Sequence, residues 1–101
     1  MAEFVVANAD EIPAGTGKTV FAGEKAIALF NVSGKFYALD NTCPHRGGPL
    51  GEGELDGCIL TCPWHGWQFD VTTGESTSGT QATTYKVSVN QKTKEIKVFV
   101  D

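Results

Sequence analysis

Two seven-residue stretches constrain this chain more than any other feature: TCPHRGG at positions 42–48 and TCPWHGW at 61–67. Each runs Thr-Cys-Pro, then histidine, with glycine close behind. Together they use both histidines of the protein, His45 and His65, and two of its three cysteines, Cys43 and Cys62. One thiol and one imidazole from each of two separated loops point to a single shared site. Any fold that serves such a site must bring the two loops together.

The segments around these loops read as strands. KTVFAG and KAIALFN flank a Gly23-Glu24 turn and KFYALD follows the NVSG turn, which predicts a meander of three short strands. At the far end TYKVSVN alternates with Tyr85, Val87 and Val89 on one face. EIKVFV alternates with Ile96, Val98 and Val100, and the polar QKTK between the two predicts a hairpin. GCILTC and WQFDV read as a third strand pair with the second Cys-His loop at its bend. No window carries a sustained helical period with caps, and residues 8–15 make one helical turn at most. The expectation is an all-β chain in which a central segment, roughly 41–69, is inserted between strands of a base and carries the chemistry. Residues 72–84, TTGESTSGTQATT, are expected as a polar surface loop without a hydrophobic anchor, folded against that segment.

A length of 101 residues predicts one domain, 1–101. So small a core makes a metal site an expected staple. The net charge of -4, with eight Lys and Arg scattered along the chain, argues against nucleic acid and against an anionic membrane surface. MAEFVVANADEIP has no basic region before its apolar run, which Asn8 and Asp10 break, so it does not read as a leader. No stretch approaches the roughly 20 apolar residues that span a bilayer. The expected location is cytoplasmic, and an odd cysteine count in a reducing compartment favours metal over disulfides.

Written as donors, the centre is Cys43-x-His45, sixteen residues, then Cys62-x-x-His65. A lone Cys or His is usually a core residue, but four of them in Gly-bounded Cys-Pro loops form a donor set. A structural zinc site is one reading. Zinc sites, however, usually draw like ligands in close pairs, with histidines from a helix, and no helix is available here. One Cys and one His from each loop suit a two-metal cluster, each loop sending its thiolate to one metal and its imidazole to the other.

The pattern C-P-H-x-G-G … C-P-W-H-G-W-x-F-D resembles the Rieske iron–sulfur proteins, and most closely the soluble Rieske-type ferredoxins. The resemblance implies the Rieske fold, a small antiparallel β-sandwich or barrel-like base with an inserted cluster-binding subdomain. It implies one [2Fe–2S] cluster per chain, with Cys43 and Cys62 on the inner iron and His45 and His65 on the outer iron, rings toward the surface. Two neutral imidazoles in place of two thiolates remove negative charge from such a cluster. Its potential then rises above the roughly -400 mV of plant-type clusters. With no open coordination position, the implied role is one-electron transfer without catalysis. A flavin-dependent ferredoxin reductase and a terminal Rieske oxygenase are the implied partners of a monomeric carrier. The alternatives are the small subunit of an assimilatory nitrite reductase and a zinc-stabilised interaction module.

High-potential members of that family carry a disulfide whose cysteines align with Gly48 and Trp64, and a Ser and a Tyr that align with Trp67 and Phe69. The resemblance therefore implies a potential near the low end of the roughly -150 to +300 mV Rieske range. Family members commonly have a proline in the loop after the second motif, and ESTSGTQATT has none. Elsewhere, Cys58 reads as a buried thiol acting as a small hydrophobe. Trp64, Trp67 and Phe69 read as a water-excluding shell. Arg46 and the acidic loop GEGELD, residues 51–56, are candidates for steering a partner. Asp70 reads as the organiser of a turn ending at Gly74.

Overall fold

The structure is a computed structural model that describes residues 2–42, 49–63, 66–76, 79 and 81–100. Nine strands are assigned among them: β1 Ala2–Asn8, β2 Gly17–Ala22, β3 Lys25–Val32, β4 Lys35–Asp40, β5 Glu54–Asp56, β6 Ile59–Thr61, β7 Gln68–Asp70, β8 Thr84–Val89 and β9 Glu95–Val100. The helical content among the described residues is two 3-10 turns, Ala9–Glu11 and Leu50–Glu52. Six strands form one antiparallel sheet in the order β1-β9-β8-β4-β3-β2, and β5-β6-β7 form a second. The edge strands β1 and β2 approach each other, so the large sheet curls into a nearly closed barrel.

Strand β3 explains how the two sheets join. A strand with one wet face alternates apolar and polar residues, whereas KAIALFN is apolar almost throughout, the signature of burial on both faces. Ile27, Ala28, Leu29 and Phe30 are all fully buried. Ile27 and Leu29 pack into the barrel core with Val20, Ala38, Ile96 and Val98. Ala28 and Phe30 face the opposite way, into a second core with Leu39, Leu50, Leu60, Phe69 and Val71. Strand β3, helped by β4, is thus a wall shared by the barrel and the small sheet. Burying a side chain such as Leu or Phe contributes about 1.5–3 kcal/mol, so this wall fixes where the small sheet sits.

The expected meander β2-β3-β4 and the β8-β9 hairpin are present with the expected faces: Tyr85, Val87 and Val89 are half-buried, and Ile96, Val98 and Val100 are buried. Two strands were not anticipated. Ala2–Asn8 pairs with β9 from Ala2↔Val100 to Asn8↔Glu95, with a bulge between Val5 and Ala7 that disturbs its alternation. Glu54–Asp56, expected as acidic loop, pairs with β6 and turns Leu55 onto the second core.

Candidate metal centre

The first Cys-Pro loop leaves the end of β4 and returns into the 3-10 turn Leu50–Glu52. Thr42 and Pro49 form an antiparallel bridge across its neck, and Leu50 N donates to Asn41 O at 2.7 Å. Leu50, fully buried in the second core, anchors the return. One side chain locks the neck from within: Asn41 Oδ1 accepts from Gly51 N at 2.7 Å and from Thr19 Oγ1 at 3.1 Å. Strand β2 comes so close here that a Cβ on Gly51 would lie 2.3 Å from Thr19 Oγ1, 2.8 Å from Asn41 Oδ1 and 2.8 Å from Thr19 N. Only glycine fits.

The second loop is the bend between β6 and β7, paired through Ile59↔Asp70, Leu60↔Phe69 and Thr61↔Gln68. Cys62 N donates to Trp67 O at 2.7 Å and closes the neck. Cys62 is 1 % exposed and belongs to the second core beside Leu60, Phe69 and Ala82. Trp67 is half-buried and packs on the same core, so Trp67 and Phe69 do form part of an apolar surround. Both necks are therefore fastened to the second core.

A third segment covers this core. Asp70 organises its first turn: Thr72 N and Thr72 Oγ1 donate to Asp70 Oδ1 at 2.9 and 2.6 Å, and Gly74 N donates to Asp70 O at 2.7 Å. The Thr72 hydroxyl, then the Thr72 amide, hold the Asp70 carboxyl below its ordinary range. The segment returns through Ala82, whose N–H donates to Gly74 O at 2.7 Å. Gly74 is at φ +81, and a Cβ there would lie 2.5 Å from Ala82 O. The expectation that residues 72–84 have no hydrophobic anchor is corrected: Ala82 is 2 % exposed and sits in the core that holds Cys62. Its small size carries little hydropathy signal. Cys58 is also less buried than expected. It is half-buried and packs against the same core.

Of the expected donor set, Cys62 is described, whereas Cys43, His45 and His65 lie outside the described residues, as do Arg46, Gly48 and Trp64. Among the described residues no three His, Cys, Asp or Glu side chains group as a metal site. What the structure places is the frame: two loop necks fastened to one dry core, with Cys62 at its surface of contact. A thiolate buried among Leu, Phe and Ala side chains is costly unless a metal takes its charge. Two thiols and two imidazoles are the donor set of a mixed-ligand iron–sulfur cluster, and the residues present fit that group.

Residues 2–98 match the Rieske [2Fe-2S] domain family. This chain belongs to that family. The cofactor of such a Rieske domain is one [2Fe–2S] cluster. The chain is 42% identical over 67 residues to the ferredoxin component of the naphthalene 1,2-dioxygenase/salicylate 5-hydroxylase systems of a Ralstonia species, over 66% of this chain and 64% of that relative. It thus spans just under two thirds of the length of the curated relatives it first matches. Among solved structures, one similar chain comes from the complex of reduced oxygenase and oxidized ferredoxin in carbazole 1,9a-dioxygenase. The TM-score is 0.85 at 32% identity, covering 95% of this chain and 91% of that one. The ferredoxin of carbazole 1,9a-dioxygenase from Nocardioides aromaticivorans superposes with a TM-score of 0.90 at 24% identity over the full length of both, a likeness of fold. The all-β Rieske architecture is thereby that of this chain.

The Rieske motif was legible in the sequence, but the lock of Asn41, Thr19 and Gly51 behind it was not. Its members lie 22 and 10 positions apart, on different elements. The trace it leaves in the sequence is a glycine at position 51, where a Cβ would meet Thr19 and Asn41.

Proposed function

We propose that this Rieske domain is a one-electron carrier that takes electrons from a flavin-dependent reductase and delivers them to a terminal Rieske oxygenase in the cytoplasm. In this reading Cys43 and Cys62 hold one iron and His45 and His65 the other, within a cluster-binding unit of about residues 41–69. When bound, the cluster accepts and returns one electron without opening a coordination position. The protein's own work is to fix both loops and exclude water. The two closed necks fix the positions from which the four donors leave, and the Leu50–Leu60–Phe69–Ala82 core keeps the environment of Cys62 dry. Trp67 and Phe69 offer no hydroxyl to stabilise the reduced state, which favours a potential low in the Rieske range. The exposed Glu52, Glu54 and Asp56, on the return from the first loop, suit a basic partner surface. The named functions of the relatives support the same reading.

The observation that carries the proposal is the pair of fastened loop necks meeting at a core that buries a ligand-type cysteine. A potentiometric titration of the purified holoprotein tests it. The expected result is one electron per chain, reversible, at a potential above roughly -400 mV and near the roughly -150 mV end of the Rieske range. A protein that takes up no electron, or titrates as a four-cysteine cluster, overturns it. No helix among the described residues is long and apolar enough to cross a membrane.

A further inference from the structure

At the end of the barrel far from the Cys-Pro loops, β4 and β8 part company. Each is six residues long, yet they pair only at Ala38↔Tyr85 and Leu39↔Thr84. Toward Lys35 on one strand and Val89 on the other they diverge, and a cavity of about 460 Å³ opens between them. Its lining is mixed: Ala9, Phe36, Val87 and Val89, half-buried side chains packed on the barrel's own core, supply the apolar part, and Gly34, Tyr37 and Gln91 complete it. Lys35 and Lys94 stand at its rim. At roughly 3.3 Å per residue, the five steps of β4 from Lys35 to Asp40 put this mouth about 17 Å from the root of the first loop. It is a separate site.

Charge distinguishes this mouth from the rest of the surface. Three lysines of the described structure are in ion pairs: Lys18 with Glu11, Lys25 with Asp40 and Lys97 with Glu3. Lys35, Lys86, Lys92 and Lys94 have no carboxylate within salt-bridge distance among the described residues. All four lie at the start of β4, on β8 or in the turn after it. Two of these four, Lys35 and Lys94, line the opening, in a protein whose net charge is -4. Glu95 lies next in the chain to Lys94, but its carboxylate accepts from Thr93 Oγ1 at 3.2 Å. Barrel mouths of a few hundred Å³ with apolar walls and a few polar groups are common ligand sites.

We propose that this mouth binds a small organic anion with an apolar body, such as an aryl-substituted carboxylate. The ring lies against Phe36, Val87 and Val89, and the carboxylate is held between Lys35 and Lys94. The binding is non-covalent and independent of the metal centre.

Calorimetric titration of the holoprotein at low salt with 4-phenylbutyrate, and in parallel with neutral 4-phenylbutan-1-ol, tests the assignment. The expected result is a single saturable site for the carboxylate, at least tenfold weaker for the alcohol and weakened by added salt. Lys35→Ala/Lys94→Ala is expected to weaken carboxylate binding at least tenfold. Val89→Trp, which fills the mouth, is expected to abolish it. Unchanged visible absorbance certifies that each variant is folded and loaded. Absence of saturable binding overturns the proposal. So does an alcohol that binds as well as the carboxylate, or a folded variant of either kind that binds as the parent does.

Discussion

Gly51→Ala is the smallest change that tests how the first loop is fastened. The added methyl would lie 2.3 Å from Thr19 Oγ1 and 2.8 Å from Thr19 N. The hydroxyl can rotate away, but only by giving up its hydrogen bond to Asn41 Oδ1. The backbone nitrogen belongs to β2, which is paired to β3 from Gly17↔Phe30 to Ala22↔Lys25, and cannot yield alone. Overpacking of this kind costs about 1–3 kcal/mol, and the loss of one or both bonds to Asn41 adds about 0.5–1.5 kcal/mol each. The sum is about 1.5–6 kcal/mol, a large part of the stability of a domain this size. Urea unfolding followed by circular dichroism gives the loss, and visible absorbance gives cluster retention. Thr19→Ala/Gly51→Ala should recover part of the loss, because it removes the hydroxyl but not the backbone contact, giving a favourable coupling in the double-mutant cycle. Gly57→Ala is the control: nothing lies within 4 Å of its Cβ position, and only the strain of φ +63 applies, about 1–2 kcal/mol. If Gly51→Ala is no more destabilising than Gly57→Ala and keeps its cluster, the reasoning about this neck is wrong.

Other substitutions probe the remaining parts. Ala82→Glu should destabilise by about 2–4 kcal/mol, since it places an unpaired charge in the core beside Cys62, and bleaching of the visible absorbance should accelerate. Cys62→Ser should abolish the visible spectrum and lower the iron content of the purified protein, whereas Cys58→Ser should leave both unchanged. For Asp70 the folded carboxyl titrates below its ordinary value of 3.8. Its contribution is therefore fully present above that pH and is lost as pH falls through the lower folded value. Asp70→Asn keeps an acceptor for Thr72, so its urea midpoint should fall less between pH 5 and pH 3 than that of the parent; an equal fall would count against the Thr72 contacts as the cause.

How much of this was readable in advance depended on distance along the chain. The run KAIALFN was legible as a strand; its burial on both faces, which the reading did not draw, agrees with a composition apolar almost throughout. Tyr85, Val87 and Val89, and Ile96, Val98 and Val100, reported one-sided burial by their period of two. The two Cys-Pro motifs that mark the family were legible because each is short and continuous, while three of the four proposed donors lie outside the described residues. Strand β1 was not, since its bulge at Val5/Ala7 breaks the alternation and its partner is β9, at the other end of the chain. Strand β5 was hidden by its charges: Glu54 and Asp56 point outward, and Leu55 alone carries the apolar signal. The anchor at Ala82 and the lock at Asn41 rest on tight tertiary approach, which leaves no periodic trace.

The central claim is that one cluster takes a thiolate and an imidazole from each loop. Pulsed EPR of the reduced protein, produced with ¹⁵N-labelled histidine, measures this directly. The account predicts two distinct, strongly coupled histidine nitrogens, and loss of one of them in His45→Cys and of the other in His65→Cys. No coupled nitrogen, one only, or two that survive either substitution would contradict it.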